Sequence, residues 1–305
     1  MRFCVEFAAR RVAPMFPNFI LYKLENAVIW IDRRFADKQF IERLADADKL
    51  FAEPRSEVIK DQRKIKVGRI NLQVAGASHS LYVKRYNAFS LRYKIISPLM
   101  RSGAFRALAG AAILNAVKIP IATPIAAVEN RQRGALTKSF FISEEIAGGK
   151  TVDAYWRDEL KSLPGKEGFR SRRRFLAELA SLFTALHGQQ VYHNDLKDAN
   201  ILAVAEDSSK SVQLFLLDLE GVRRSTILSP ARRMKNLVQL NRTFGGYLRR
   251  VEKLFFVKTY LGVNFAERQG KRDLIESVLS ESKRLDAVKA RHMRSFRLGI
   301  NASHG

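Results

Sequence analysis

The stretch VYHNDLKDANILAV, residues 191–204, sets a histidine, two aspartates, a lysine and asparagines between two apolar runs. Apolar runs flanking a short polar segment read as strand, turn, strand. A turn anchored at both ends can offer Asp195, Lys197 and Asn200 to one point. Some 18 residues beyond Asn200 the apolar run LFLLDLEGV ends in Asp218, followed by Glu220. Carboxylates and an amide at two neighbouring strand ends are oxygen donors of the kind a hard cation such as Mg²⁺ takes.

Composition bounds what else the chain can be. At 305 residues and 47% hydrophobic it can bury one large core or two modest ones, and it reads as globular. Its single cysteine, Cys4, excludes an intramolecular disulfide framework and a multi-cysteine zinc site, which fits a reducing compartment. No apolar run reaches spanning length; LAGAAILNAV at 108–117 has the length of a core helix. The opening MRFCVEFAARRVAPMF has no continuous hydrophobic region, so no secretory signal is expected and the cytoplasm is the default.

Charge is the most unusual property. There are 54 Lys and Arg against 30 Asp and Glu, a net of +24. Residues 221–305 alone carry 19 basic against 6 acidic side chains. Such an excess favours an anionic partner: nucleic acid, an acidic membrane leaflet or a phosphorylated substrate. Between 231 and 258 only Glu252 offsets eight basic residues, which favours an anion-facing surface there. The apolar positions Leu237, Leu240, Phe244, Tyr247, Leu248, Val251 and Leu254 recur at helical spacing and are expected in a core. Neither aromatic-basic interleaving nor a zinc motif supports a specific nucleic-acid partner. His187 and His193 are expected to be packed, hydrogen-bonded residues.

Along the chain, residues 1–54 read as a mainly helical N-terminal extension, with Phe35, Phe40, Ile41 and Leu44 at helical spacing. From 57 the runs EVIKDQ, KIKVGRINLQVA and HSLYVKRYN predict three antiparallel strands. A helix is predicted from about 90 to 117, then strands around IPIATPIAAVE and LTKSFFISEEI. Phe175, Leu179, Leu182, Phe183 and Leu186 predict a helix over 171–188 that closes on Gly188. Two strands follow, near 200 and 214, and the remainder is helical. The expected architecture is α+β and two-lobed: a small strand-rich lobe over 55–147, a larger helical lobe over 148–305, and a cleft between them.

Phosphoryl transfer calls for this set of groups: an acid near the attacking hydroxyl, cations over the phosphates, and metal ligands that bridge them. Lys84, alternating with apolar neighbours in LYVKRYN, is placed to hold nucleotide phosphates. The order VK, HNDLKDAN and DLE over residues 57–220 resembles the protein-kinase-like superfamily, with its strand lysine, catalytic loop and metal-binding aspartate. Within it, LYVKRYN, IPIATPIAAVE, LLDLEGVRR and RRMKNLVQLNRTF resemble the lipopolysaccharide core kinases, the Kdo and heptose kinase family.

That resemblance implies a protein-kinase-like fold and an ATP- and Mg²⁺-dependent kinase acting on a sugar hydroxyl of the lipopolysaccharide inner core. It implies Asp195 as catalytic base, Lys197 as a contact to the γ-phosphate, Lys84 on the α- and β-phosphates, and Asn200 and Asp218 as Mg²⁺ ligands. The backbone near Glu145 and Ile146 would meet the adenine. The glycine-rich phosphate loop is absent, and the turn KDQRKIKVG offers Arg63, Lys64 and Gly68 in its place. No acidic residue occurs between Lys84 and Glu129. The helix glutamate that normally meets the strand lysine is therefore lacking, with Ala107 or a near neighbour at its position, and Lys84 either pairs with Asp218 or has no such partner. The implied partners are an anionic glycolipid and an anionic membrane surface, at the inner face of the inner membrane. A Ser/Thr protein kinase and a catalytically silent binding module remain the other readings.

Overall fold

The computed structural model describes residues 15–87, 101–206 and 211–302. Cys4 and the start of the helix expected from about 90 lie outside these. The chain divides into two compact units, residues 1–147 with 216–222, and residues 148–215 with 223–305.

The first unit is built on a seven-stranded sheet in which every neighbouring pair is antiparallel. In chain order its strands are β1 (Phe19–Lys23), β2 (Ala27–Asp32), β3 (Ser56–Asp61), β4 (Ile65–Val74), β5 (Ala77–Asn87), β6 (Pro124–Gln132) and β7 (Ala135–Glu144). Their spatial order is β1-β2-β6-β7-β5-β4-β3. The three strands expected after residue 57 are β3 to β5. Inward side chains such as Ile29, Ile31, Ile70, Leu81 and Phe140 form one core with Phe40 and Leu44 of α1 (Lys38–Ala45). Asp37 caps α1 by accepting from the Phe40 amide at 3.1 Å. A second helix, α2 (Gly103–Ala116), packs on β5, β6 and β7 through small residues including Ala104 and Ala107.

The helical extension expected over 1–54 needs correction. Residues 19–32 are two strands, and β2 pairs with β6 from Ala27↔Asn130 to Ile31↔Ala126. The run AVIWI is buried almost throughout, so it shows no alternation, and short apolar runs do not by themselves separate strand from helix. Only α1 follows the helical spacing that was read there.

The second unit is mainly helical. After β8 (Lys150–Thr151) come α3 (Val152–Tyr155), α4 (Gly165–Gly188), β9 (Val191–His193), β10 (Ile201–Glu206) and β11 (Ser211–Leu216), and then α5 (Pro230–Thr243), α6 (Arg250–Leu261) and α7 (Arg268–Ala302). The expected helix over 171–188 starts earlier, at Gly165, directly after Pro164. The aromatic centre is Trp156 with Phe175 and Phe244, ring centroids 5.8 and 5.5 Å away. α4 packs on α6, and α5 on α7. Helices α5 to α7 border an apolar cavity of about 560 Å³.

The core expected over 237–254 is divided. Leu237, Leu240 and Phe244 are buried, but Tyr247, Val251 and Leu254 are exposed. The cause is the break at Gly245–Tyr247: α6 begins with a new phase, so the spacing read across the break does not continue one face.

Candidate functional site

In the first unit, β5 turns Leu81 and Val83 into the core, and strand alternation sends Lys84 to the other side. Lys84 Nζ forms an ion pair with Asp218 and lies 5.0 Å from the centre of the Tyr86 ring. The Tyr86 hydroxyl is pushed well above its ordinary pKa, first by burial and then by the negative charges of Glu220 and Asp218. The segment carrying Asp218 is tied to its unit by the Leu216 amide, which donates to Pro120 O at 3.0 Å. Asp218 has φ 55°, in the left-handed region that aspartate tolerates better than most residues.

The helix α2 meets this segment with a cation, not an acid. Arg106 Nη2 reaches Glu220 Oε2 at 3.1 Å, and one turn on Gly110 lies so close to Leu219 that no side chain fits between them. The place read as Ala107 or a near neighbour is therefore served by Arg106. Its carboxylate partner is two residues beyond Asp218, while Lys84 takes Asp218 itself. A lone arginine in an otherwise apolar helix and the glutamate of DLE were each visible in the sequence, but their pairing was not. Both side chains are largely buried, so Arg106→Glu and Glu220→Arg should each lower stability, and the swapped double variant should recover part of it. A coupling of order 1 kcal/mol is expected from urea unfolding of the four proteins. Additive effects would contradict the pair.

In the second unit, β9 ends at His193 and β10 begins at Ile201, with Leu196 fully buried as the anchor of the intervening turn. Lys197 Nζ lies 2.6 Å from Asp195 Oδ2. Asn200 Nδ2 donates to Asp195 O at 2.7 Å and to Oδ2 at 3.3 Å. The Asp195 amide donates to His193 Nδ1 at 3.1 Å, which gives the buried histidine the structural part expected of it. The three side chains singled out in the sequence are thus together.

What the sequence reading missed is the platform beneath them. Asn236, Gln239 and Thr243 stand on one face of α5 and bond to the loop backbone. Asn236 Nδ2 donates to His193 O at 2.5 Å, and Gln239 Nε2 donates to Asn194 O at 2.7 Å. Gln239 Oε1 accepts from the Leu196 amide at 3.0 Å, and Thr243 Oγ1 from the Asp198 amide at 3.4 Å. Polar residues interleaved with Leu237 and Leu240 on an otherwise apolar helix face were the trace of it.

His187 extends this network, with Nε2 3.3 Å from Asn236 Oδ1 and Nδ1 2.9 Å from the Tyr260 hydroxyl. Burial lowers its pKa to about 4 from 6.5, so the folded chain holds it neutral. The unfolded chain binds the proton first as pH falls below 6.5. The stabilising contribution is therefore complete above that pH and is lost on the way down to about 4. Between pH 7 and pH 5 the loss is about 2 kcal/mol. Urea unfolding at the two pH values should show it, and His187→Gln should remove that part of the dependence.

The remaining expected residues are placed as follows. Arg63 and Lys64 sit in the exposed β3–β4 turn, where their carbonyls accept from the Asn87 side chain at 2.9 Å and the Asn87 amide at 3.0 Å. Gly68 lies within β4 between Val58 and Val83, and a Cβ there would meet the Phe51 ring at 2.9 Å. Packing on Phe51 thus accounts for that glycine. The Glu145 amide donates to Ser80 O at 2.9 Å, and its carboxylate pairs with Arg69 Nε at 2.9 Å. Ile146 follows it at the end of the unit, half-buried.

Among the described residues no group of three or more His, Cys, Asp or Glu side chains forms a metal site. A Mg²⁺ held by one or two side chains and completed by phosphate and water oxygens needs no such group. In the second unit the Asn200 Nδ2 is engaged by Asp195, which leaves its Oδ1 as the atom available to a cation. In the first unit Asp218 is a carboxylate donor paired with Lys84.

Residues 51–260 match the family model described as the lipopolysaccharide kinase (Kdo/WaaP) family. No curated protein matches the chain. Among solved structures, one described as WaaP in complex with acyl carrier protein aligns with a TM-score of 0.59 at 18% identity, covering 93% of this chain and 99% of that one. At that identity the likeness shows the fold, which is kinase-like. The family match spans well over half of the sequence, and the chain belongs to the lipopolysaccharide kinase (Kdo/WaaP) family, whose members are phosphotransferases.

Proposed function

We infer that this chain transfers the γ-phosphate of ATP to a heptose or Kdo hydroxyl of the lipopolysaccharide inner core, working from the cytoplasmic face of the inner membrane. The observation that carries the reading is the Asp195 carboxylate, held by Lys197 and Asn200 on a loop that α5 fixes through its backbone. A base fixed in this way is suited to orient a sugar hydroxyl and accept its proton during transfer. Lys197, paired with that carboxylate, would neutralise charge on the transferring phosphoryl group. On nucleotide binding, Lys84 exchanges Asp218 for α- and β-phosphate oxygens. Asn200 and Asp218 are the residues that would hold Mg²⁺, which supplies further neutralisation of phosphate charge.

The expected roles of Arg63 and Lys64 narrow to exposed cations near the nucleotide, and that of Gly68 to packing. Glu145 and Ile146 would contribute backbone groups to the adenine. The surplus of basic residues suits an anionic acceptor, and among the described residues no helix is long and apolar enough to cross a membrane. Calorimetric titration with ATP, with and without Mg²⁺, tests the donor side. Asp218→Asn should weaken binding more in the presence of Mg²⁺ than in its absence. Equal weakening under both conditions would remove Asp218 from the metal site.

A further inference from the structure

Helix α6, RVEKLFFVKTYL, turns Glu252 and Phe256 inward, one helical turn apart. Glu252 is held there between Arg172 Nε at 3.5 Å and Arg249 Nη2 at 2.9 Å. The opposite stripe of the same helix is Arg250, Val251, Leu254 and Lys258, and it faces solvent. Val251 is 66% exposed and Leu254 48%, while Val263, just past the helix, is 90% exposed. Among the described residues Arg250, Lys253 and Lys258 pair with no carboxylate.

The neighbouring first turns of α4 have the same mixture. Phe169 is exposed, and the Arg173 guanidinium lies 5.5 Å from its ring centre and 4.3 Å from that of Phe255 on α6. That cation bridges the two helices and joins their apolar side chains into one face. From 221 to 266 the sequence holds ten Lys and Arg and a single acid, Glu252, which is buried and paired. The face is thus aliphatic and aromatic side chains set among cations, with no exposed carboxylate from that whole stretch.

We propose that this face, centred on Phe169, Arg173, Arg250, Val251, Leu254 and Lys258, is where the chain docks on an anionic bilayer. Two properties have to be satisfied together. Unpaired cations call for an anionic partner, and exposed aliphatic side chains call for one that also removes them from water. A bilayer of anionic lipid does both, taking the aliphatic tips at the acyl boundary and the cations at the phosphates. A polyanion such as nucleic acid would use the cations and leave Val251, Leu254 and Val263 in water. The proposal deepens the reading of a lipid-anchored acceptor by naming the surface. Its test involves no phosphotransfer, so either can fail while the other stands.

The test is sedimentation of the full chain with vesicles of phosphatidylcholine alone and of phosphatidylcholine mixed with phosphatidylglycerol. Binding is expected to the mixed vesicles only, and it should weaken as salt is added. Arg250→Gln with Lys258→Gln should reduce it about 30-fold. Val251→Ser with Leu254→Ser should reduce it about tenfold, with melting curves showing that the variant is still folded. Val251→Trp supplies a signal that does not depend on loss: its emission should shift to the blue with mixed vesicles and stay unchanged with phosphatidylcholine. Wild-type binding to neither vesicle, undiminished binding by both double variants, or an unshifted Val251→Trp emission would each overturn the proposal. Equal retention of the wild type and the serine variant on heparin and on mixed vesicles would make the face a general polyanion surface and overturn it too.

Discussion

Asp195→Asn should lower kcat for phosphate transfer by roughly 10²–10⁴-fold, the usual loss when a positioned general base is removed. The substitution keeps the shape of the side chain and an oxygen for Lys197, so the loop should survive it. Asp195 is nearly half exposed, and substitutions at such positions usually change stability by no more than about 0.5 kcal/mol. The effect should therefore appear in kcat, with the KM for ATP and the Tm close to those of the wild type. A kcat within a few-fold of wild type would mean that the proton leaves by another route.

The second large effect is expected far from any titratable group. In an exposed helix Gly→Ala usually gains up to about 1 kcal/mol. At Gly110 the added methyl would lie 2.0 Å from Leu219 O and 3.0 Å from its carbonyl carbon, where ordinary contact needs about 3.5 Å. A backbone carbonyl cannot rotate away as a side chain can, so α2 and the 218–221 segment must part. Overpacking of this kind costs about 1–3 kcal/mol, which outweighs the helix gain. Because Asp218 immediately precedes Leu219, Gly110→Ala should lower both Tm and kcat. Gly188→Ala is the control: a Cβ there has open space within 4 Å, and the variant should melt at or slightly above the wild type. A Gly110→Ala protein as stable and active as the wild type would contradict the close approach.

What could be read in advance follows from how local each signal is. The turn bearing Asp195, Lys197 and Asn200 lies within ten residues and between apolar runs, so its composition and spacing announced it. Strands β4 and β5 alternate, and α4 carries an apolar stripe, so period alone marked them. Strand β2 was missed because the AVIWI run is buried on both sides and therefore has no period to read, and β1, FILYK, is half-buried with no alternation either. The phase break at Gly245 misled for a related reason: three- and four-residue spacing persists across it by chance, and Tyr247, Val251 and Leu254 ended on the surface.

The site's supports were hidden for a different reason. Asn236 and Gln239 act on a loop 43 to 45 residues earlier, and Glu220 meets an arginine 114 residues before it. No window of sequence contains both partners of such bonds. In each case a polar residue out of place was visible, and only the fold identified what it served. The absence of a helix glutamate for Lys84 was legible; its replacement by a reversed pair, Arg106 with Glu220, was not.

The central claim is a kinase whose acceptor is a lipopolysaccharide sugar. The most direct measurement is phosphate transfer from ATP by the wild-type chain to purified inner-core lipopolysaccharide, with a generic protein substrate in parallel and the phosphorylated residue located by mass spectrometry. The account predicts one phosphate on a heptose or Kdo hydroxyl and none on the protein substrate. Transfer to the protein alone, or to neither acceptor while Mg²⁺-ATP still binds, would contradict it.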